Sequence, residues 1–164
     1  MPRYAATVCF ASSLGLVEVE CAELGVTRVR LAARGKPREV GDGVALECAR
    51  RTREEILGYL SGVLRDFTIP VVVSGTPFQR AVWGRLERIP YGTTCTYGEV
   101  AAELGKPRAA RAVGMACRAN PVPILVPCHR IVGGNGSSTS AADAASMKRQ
   151  LLALERQHES TRHA

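Results

Sequence analysis

Three runs near the start of the chain have the patterning of strands. Tyr4–Phe10 is largely apolar and includes the β-branched Thr7 and Val8. Leu16–Cys21 sets Leu16, Glu18 and Glu20 against Val17, Val19 and Cys21, and Val26–Leu31 sets Val26, Arg28 and Arg30 against Thr27, Val29 and Leu31. Ser12-Ser13-Leu14-Gly15 and Glu23-Leu24-Gly25 supply turns, so the three predict an antiparallel meander. Residues 32–43 read as a loop on composition. Val44–Leu64 repeats its apolar positions (Leu46, Ala49, Ile56, Leu57, Leu60, Leu64) near the helical period, and Ile69–Val73 reads as a further short strand.

Helix signals dominate after residue 75. Thr76-Pro77-Phe78-Gln79 is a capping box, with proline at the first helical position. Phe78, Val82, Trp83, Leu86 and Ile89 follow as one apolar stripe, ended by Pro90-Tyr91-Gly92. Thr96-Tyr97-Gly98-Glu99 is a second capping box, opening a short helix with Val100, Ala101 and Leu104 inward and Gly105 at its end. Lys106-Pro107 is a tight connection, and Arg108–Arg118 predicts a second helix. A helix, a short glycine-containing turn and a helix is the helix-turn-helix pattern. The second helix sets Arg108, Arg111 and Arg118 among Ala109, Ala110, Ala112, Val113, Gly114 and Ala116. Small residues let a backbone approach a groove floor, while the arginines suit phosphates. By itself the pattern is equally that of an ordinary alanine-rich helix with a solvated face.

Charge separates these readings. Residues 1–75 hold 10 Lys/Arg against 9 Asp/Glu, whereas residues 76–164 hold 12 against 6. No acidic residue lies between Glu103 and Asp143. A basic half on a near-neutral half points to a polyanion, nucleic acid first. No apolar run approaches the ~20 residues that span a bilayer, and charges at Arg3, Glu18, Glu20, Glu23, Arg28 and Arg30 interrupt any secretory signal. The expected location is the cytoplasm. The six cysteines form no C-x-x-C pair and only three histidines occur, so neither a disulfide framework nor a metal site is expected. Cys9 and Cys21 have no histidine beside them that would complete a zinc site.

Asn120-Pro121-Val122-Pro123-Ile124-Leu125-Val126-Pro127-Cys128-His129-Arg130-Ile131 then breaks regular structure with prolines and ends on a cysteine beside a histidine and an arginine. A thiolate is the nucleophile, and a histidine base or nearby positive charge generates it. Adjacent side chains in extended backbone point apart, so the pair alone leaves a buried structural cysteine equally open.

The full segment resembles the signature of the O6-alkylguanine-DNA alkyltransferases, the methylated-DNA–protein-cysteine methyltransferases. The likeness extends upstream through Gly75-Thr76-Pro77-Phe78-Gln79, Ile89-Pro90-Tyr91-Gly92, Thr96-Tyr97-Gly98-Glu99 and Arg111-Ala112-Val113-Gly114, and downstream to Lys148 and Leu151-Leu152-Ala153-Leu154-Glu155. It implies an α/β (α+β) N-terminal domain with a small antiparallel sheet over residues 1–69. Residues 70–164 become a mostly α helix-turn-helix (winged-helix-like) domain that binds DNA and transfers alkyl groups. By the same resemblance, Cys128 takes the alkyl group from O6 of an extruded guanine in duplex DNA and keeps it, with O4-alkylthymine a second substrate. His129 accepts the thiol proton through a water, and Glu155 holds His129. Tyr97 donates on the guanine N3 side, and Asn120 braces the turn before the acceptor segment. Arg111 fills the stack, with Arg108, Ala110, Ala112, Gly114, Arg118, Thr96 and Arg130 at the DNA. Pro123, Ile131, Ala141 and Ala142 line the substrate pocket. The implied protein is a monomer without cofactor or metal.

One stretch departs from the family pattern. Gly136–Met147 holds Ala141 where a lid tyrosine is expected, and Asp143 and Ala144 where glycines are expected. Ser140-Ala141-Ala142-Asp143 can act as a capping box, so the last helix is expected to begin early, near Ala141, unless the lid is disordered. An open pocket favours bulky alkyl groups over methyl. The alternative to a working transferase is a lesion-binding module whose altered lid has silenced transfer. A thiol hydrolase would need an oxyanion site that the sequence does not offer.

Overall fold

The computed structural model describes residues 5–134 and 142–162, without the side chains of 142–145 and 161–162. Two compact units share the chain. One comprises the residues up to Val73 together with Pro121–Leu125, and the other comprises Ser74–Asn120 and the residues from Val126 onward.

In the first unit, strands β1 (Ala6–Ser12), β2 (Gly15–Ala22) and β3 (Gly25–Arg30) form the expected meander. The sheet order is β3-β2-β1-β4, and all these pairings are antiparallel. Strand β4 (Arg38–Val40) lies inside the stretch read as loop. Three residues are too few to show a period, and this strand exists because β1 offers it a free edge. Helix α1 (Gly43–Leu60) packs on β1 and β2 through Ala45, Ala49, Thr52, Ile56 and Tyr59. It ends four residues before the expected Leu64, because Gly62 turns left-handed (φ 80°) and both Val63 and Leu64 donate to the Gly58 carbonyl. The strand expected over Ile69–Val73 reduces to one parallel bridge, Val26 with Val71. Val29 donates to Pro121 at 2.8 Å, which attaches the Pro121–Leu125 segment to β3.

In the second unit, helix α2 (Pro77–Leu86) starts on the Thr76/Gln79 capping box, with both reciprocal bonds formed. It buries Val82, Trp83 and Leu86. Helix α3 (Tyr97–Glu103) starts on the Thr96/Glu99 box. Gly105, left-handed at φ 75°, turns the chain, and helix α4 (Ala110–Arg118) follows two residues later than expected. Helices α2 and α3 both pack on α4. The inner face of α4 is Val113, Ala116 and Cys117, and the Trp83 indole donates to the Ala116 carbonyl at 2.8 Å. A two-residue strand β5 (Cys95–Thr96) pairs in parallel with β6 (Ile131–Val132). Helix α5 (Ala142–Arg162) closes the chain, its start matching the early start expected near Ala141. The Ser140/Asp143 box and the lid tyrosine's position at Ala141 lie outside the described residues. Among the described residues, no helix is long and apolar enough to cross a membrane.

Because the indole is the buried bolt between α2 and α4, Trp83→Phe is expected to lower stability by about 1–3 kcal/mol. Urea unfolding followed by far-UV circular dichroism measures this.

Candidate active site

Cys128 stands on a single 3-10 turn, Cys128–Arg130, made by Arg130 N–H to Pro127 (3.0 Å) and Ile131 N–H to Cys128, and entered through a tighter turn in which Cys128 N–H donates to Val126 (2.8 Å). Local bonds at both ends fix that turn. Upstream, the Asn120 amide donates to the Val126 carbonyl at 2.9 Å. Downstream, the β5–β6 register sets Ile131 beside Cys95 and Val132 beside Thr96, which brings the first residue of α3, Tyr97, to the acceptor segment. Burial pushes the Cys128 thiol up, while a hydrogen bond from the Asn120 side chain and the positive charge of Lys148 favour the thiolate.

The next two residues of the turn are held by one carboxylate. Glu155 of α5 is fully buried. His129 Nε2 lies 2.5 Å from its Oε2, Arg130 Nε is 2.9 Å from Oε1 and Arg130 Nη2 is 3.1 Å from Oε2. The Gly92 N–H donates to Oε1 at 3.0 Å. Gly92 is left-handed at φ 77°, which explains a glycine after Pro90-Tyr91: the turn must aim its amide inward. A carboxylate only accepts, so His129 Nε2 carries the hydrogen and Nδ1 is the acceptor of the ring. Burial lowers the His129 pKa against the pull of Glu155, which keeps the imidazole neutral and basic.

Tyr97 meets a second cation. Lys148 Nζ lies 3.4 Å from its hydroxyl and 5.5 Å from its ring centroid. Lys148 is 7% exposed, and burial lowers its pKa. Cys117, on the inner face of α4, has its thiol pushed up to about 12 by burial, with Cys128 and Lys148 in electrostatic reach. All six cysteines are free. Among the described residues, no cluster of three or more His, Cys, Asp or Glu could hold a metal.

The outer face of α4 carries Arg111, Ala112, Met115 and Arg118, all exposed, with Arg108 exposed just before the helix. Met115 shows 68% of its surface on this face. Gly114 faces Tyr97: a Cβ there would lie 3.7 Å from the tyrosine ring. Ala110 is half-buried at the start of α4. The Thr96 hydroxyl is engaged as the α3 cap.

Arg130 departs from its expected place at the DNA. It is buried, donating to Glu155 and, at 2.7 Å, to the Ile89 carbonyl, with its guanidinium 5.5 Å from the Tyr91 ring centroid. A carboxylate removed from water needs a counter-charge more than the surface needs another arginine. Ile131 is buried in β6. Pro123 is half-buried and belongs to the first unit, Ala142 is the first residue of α5, and Ala141 is not among the described residues. Two contributors had no role in the sequence reading, Gly92 and Lys148. Both lie in stretches that carry the family likeness, and Gly92 also reads as a helix stop.

The chain is also similar to proteins of known family. The model of the 6-O-methylguanine DNA methyltransferase DNA-binding domain matches residues 77–157. A methylated-DNA–protein-cysteine methyltransferase of Methanosarcina acetivorans is 40% identical over 148 residues, covering 89% of this chain and 95% of that protein. The inducible protein of the same name from Bacillus subtilis is 52% identical over 102 residues, 62% of this chain and 57% of its own. The crystal structure of Mycobacterium tuberculosis O6-methylguanine methyltransferase superposes with a TM-score of 0.82 at 31% identity, covering 94% of both chains. A structure of Mycobacterium tuberculosis OGT in complex with DNA gives 0.80 at 32% identity and 92% coverage of each. On sequence across most of its length and on fold, the chain belongs to the methylated-DNA–protein-cysteine methyltransferase family.

Proposed function

We propose that the protein repairs double-stranded DNA by moving the alkyl group of O6-alkylguanine onto Cys128, once and irreversibly. The observation that carries this is the acceptor cysteine on a turn whose next residue, His129, is fixed in a basic tautomer by the buried Glu155. His129 Nδ1 takes the thiol proton through a water. The thiolate attacks the alkyl carbon in line with the O6 bond, forming a thioether and expelling guanine, to which Tyr97 donates on the N3 side. Asn120 holds the acceptor segment and touches the thiol, favouring its charged form. A thioether is a stable product, so the protein is consumed.

A guanine inside the duplex cannot present O6 to a thiol, and extrusion costs a few kcal/mol. The exposed face of α4 is suited to offset it. Arg111 enters the vacated stack, Ala112 permits close approach, and Arg108 and Arg118 meet phosphates. Ile131 and the start of α5 at Ala142 contribute to the base pocket, and the protein acts as a cytoplasmic monomer. The alternative of a silent lesion binder has against it that the acceptor thiol and its His–Glu support are all in place.

Mixing the protein with duplex carrying O6-methylguanine should add one methylene to the tryptic peptide Ala119–Arg130, whose only cysteine is Cys128. The addition should stop at one equivalent per protein. DNA binding with an unmodified peptide would establish the silent module instead. Arg111→Ala should slow transfer from duplex at least about tenfold, the loss of ~1.4 kcal/mol or more of flipping support, while leaving transfer from the free base O6-benzylguanine close to wild type. His129→Ala should slow both by about a hundredfold or more. Single-turnover kinetics separate the two patterns.

A further inference from the structure

The first unit contains a pair of cysteines that the reaction above does not use. Cys21 lies on β2 and Cys48 on α1, the helix packed against that strand. The two thiols are in hydrogen-bond contact with each other. One turn further along α1, the fully buried Thr52 hydroxyl donates to the Cys48 carbonyl at 2.8 Å and also touches the Cys21 thiol. Cys21 therefore sits over the Cys48–Thr52 turn of the helix. Strand alternation excludes the third cysteine of this unit. Cys21 stands across from Ala6, on the face of Val17 and Val19, whereas Cys9 stands across from Glu18 on the opposite face.

The two thiols differ in access. Cys21 has no exposed surface, and burial pushes its pKa well above the ordinary thiol range, so it stays protonated and out of reach of dissolved reagents. Cys48 is half-buried and is the one of the pair that solvent reaches. A reagent that captures Cys48 delivers a leaving group beside Cys21, where proximity replaces the reactivity that the buried thiol lacks.

We propose that Cys21 and Cys48 are a redox-modification site, a dithiol that a low-molecular-weight disulfide closes into a bond between β2 and α1. The Cys48 thiolate, its proton lost to solvent, attacks one sulfur of the small disulfide and expels a small thiolate, which solvent protonates. The Cys21 sulfur then attacks the Cys48 sulfur of the mixed disulfide, and its proton goes to the second departing thiolate. The protein gives up two electrons and two protons, and the small disulfide becomes two small thiols. Both cysteines are free in this structure, which is their state in a reducing compartment. A rise in oxidised small thiols closes the pair, and an excess of reduced thiol opens it again. The bond joins a helix to the sheet it covers, within the unit that does not carry Cys128.

The test incubates the folded full chain with glutathione disulfide, quenches with acid and maps tryptic peptides without reduction. Glu39–Arg50 carries Cys48 alone, Tyr4–Arg28 carries Cys9 and Cys21, and a further cut after Glu20 separates those two. The expected product is Cys21 joined to Cys48, two hydrogens lighter than the dithiol, with mixed disulfide on Cys48 staying below about a tenth of it. Dithiothreitol should reverse the link. Cys21→Ala should stop at glutathione on Cys48. In Cys48→Ala, Cys21 should react at least about tenfold more slowly than Cys48 does in the other variant. Thermal melts show whether each variant is folded, and if either melts early the wild-type map decides alone. A wild type that yields no Cys21–Cys48 link, glutathione accumulating on Cys48 beside an intact Cys21, a link through Cys9 in its place, or Cys21 reacting as fast in Cys48→Ala would each overturn the proposal.

Discussion

A carboxylate with no access to water must be surrounded by donors, and the second unit is organised around satisfying Glu155. Its partners come from separate parts of the chain: the Gly92 amide from the turn after α2, and His129 and Arg130 from the acceptor turn. Arg130 in turn reaches the Ile89 carbonyl. One side chain of α5 therefore ties together the end of α2, the acceptor segment and α5 itself. Removing one member of such a buried pair typically costs about 3–5 kcal/mol, because the remaining charge is stranded. The arrangement also has a chemical effect. With Arg130 supplying the counter-charge, Glu155 does not need His129 to be protonated, and the imidazole remains a base.

What could be read from the sequence depended on how locally each feature is determined. Both capping boxes, Thr76/Gln79 and Thr96/Glu99, were legible because four consecutive residues contain the whole interaction. The meander was legible because its hairpins are short and its alternation is set by burial of Val17, Val19 and Cys21. Glu18 shows the limit. Alternation placed it on the face of Leu16 and Glu20, yet it is 5% exposed, paired with Arg30 directly across the sheet and with Arg38 from β4. That burial depends on a three-residue strand that no period announces. Arg130 and Lys148 are the same case within the site. Counting charge reads every arginine and lysine as surface, and only distant partners, Glu155 for one and Tyr97 for the other, draw them inside. The β5–β6 pair was invisible for a simpler reason, since two residues carry no periodicity.

The acceptor segment combines restraint with an excursion. Between Asn120 and Val126 the chain leaves the second unit for five residues, and Ile124 among them takes φ 75°, a left-handed conformation unfavourable for a β-branched side chain. The bond from the Asn120 amide to Val126 closes the neck of that excursion at 2.9 Å. Strain within the loop is thereby separated from Cys128, whose own turn is defined by Val126 and Pro127. A side chain of modest size thus holds the backbone in place and touches the thiol, which accounts for an asparagine where a proline-rich stretch begins.

The chain has a single tryptophan, and it is hydrogen-bonded to the carbonyl of Ala116 on the helix that carries the exposed arginines. Indole emission therefore originates from the second unit alone and from the inner side of α4. The first unit has Tyr59 buried in its helix and no indole at all. The molecule comes with an intrinsic optical label on its nucleic-acid-binding half, and a fluorescence signal from it is a local record of α4 rather than an average over the whole chain.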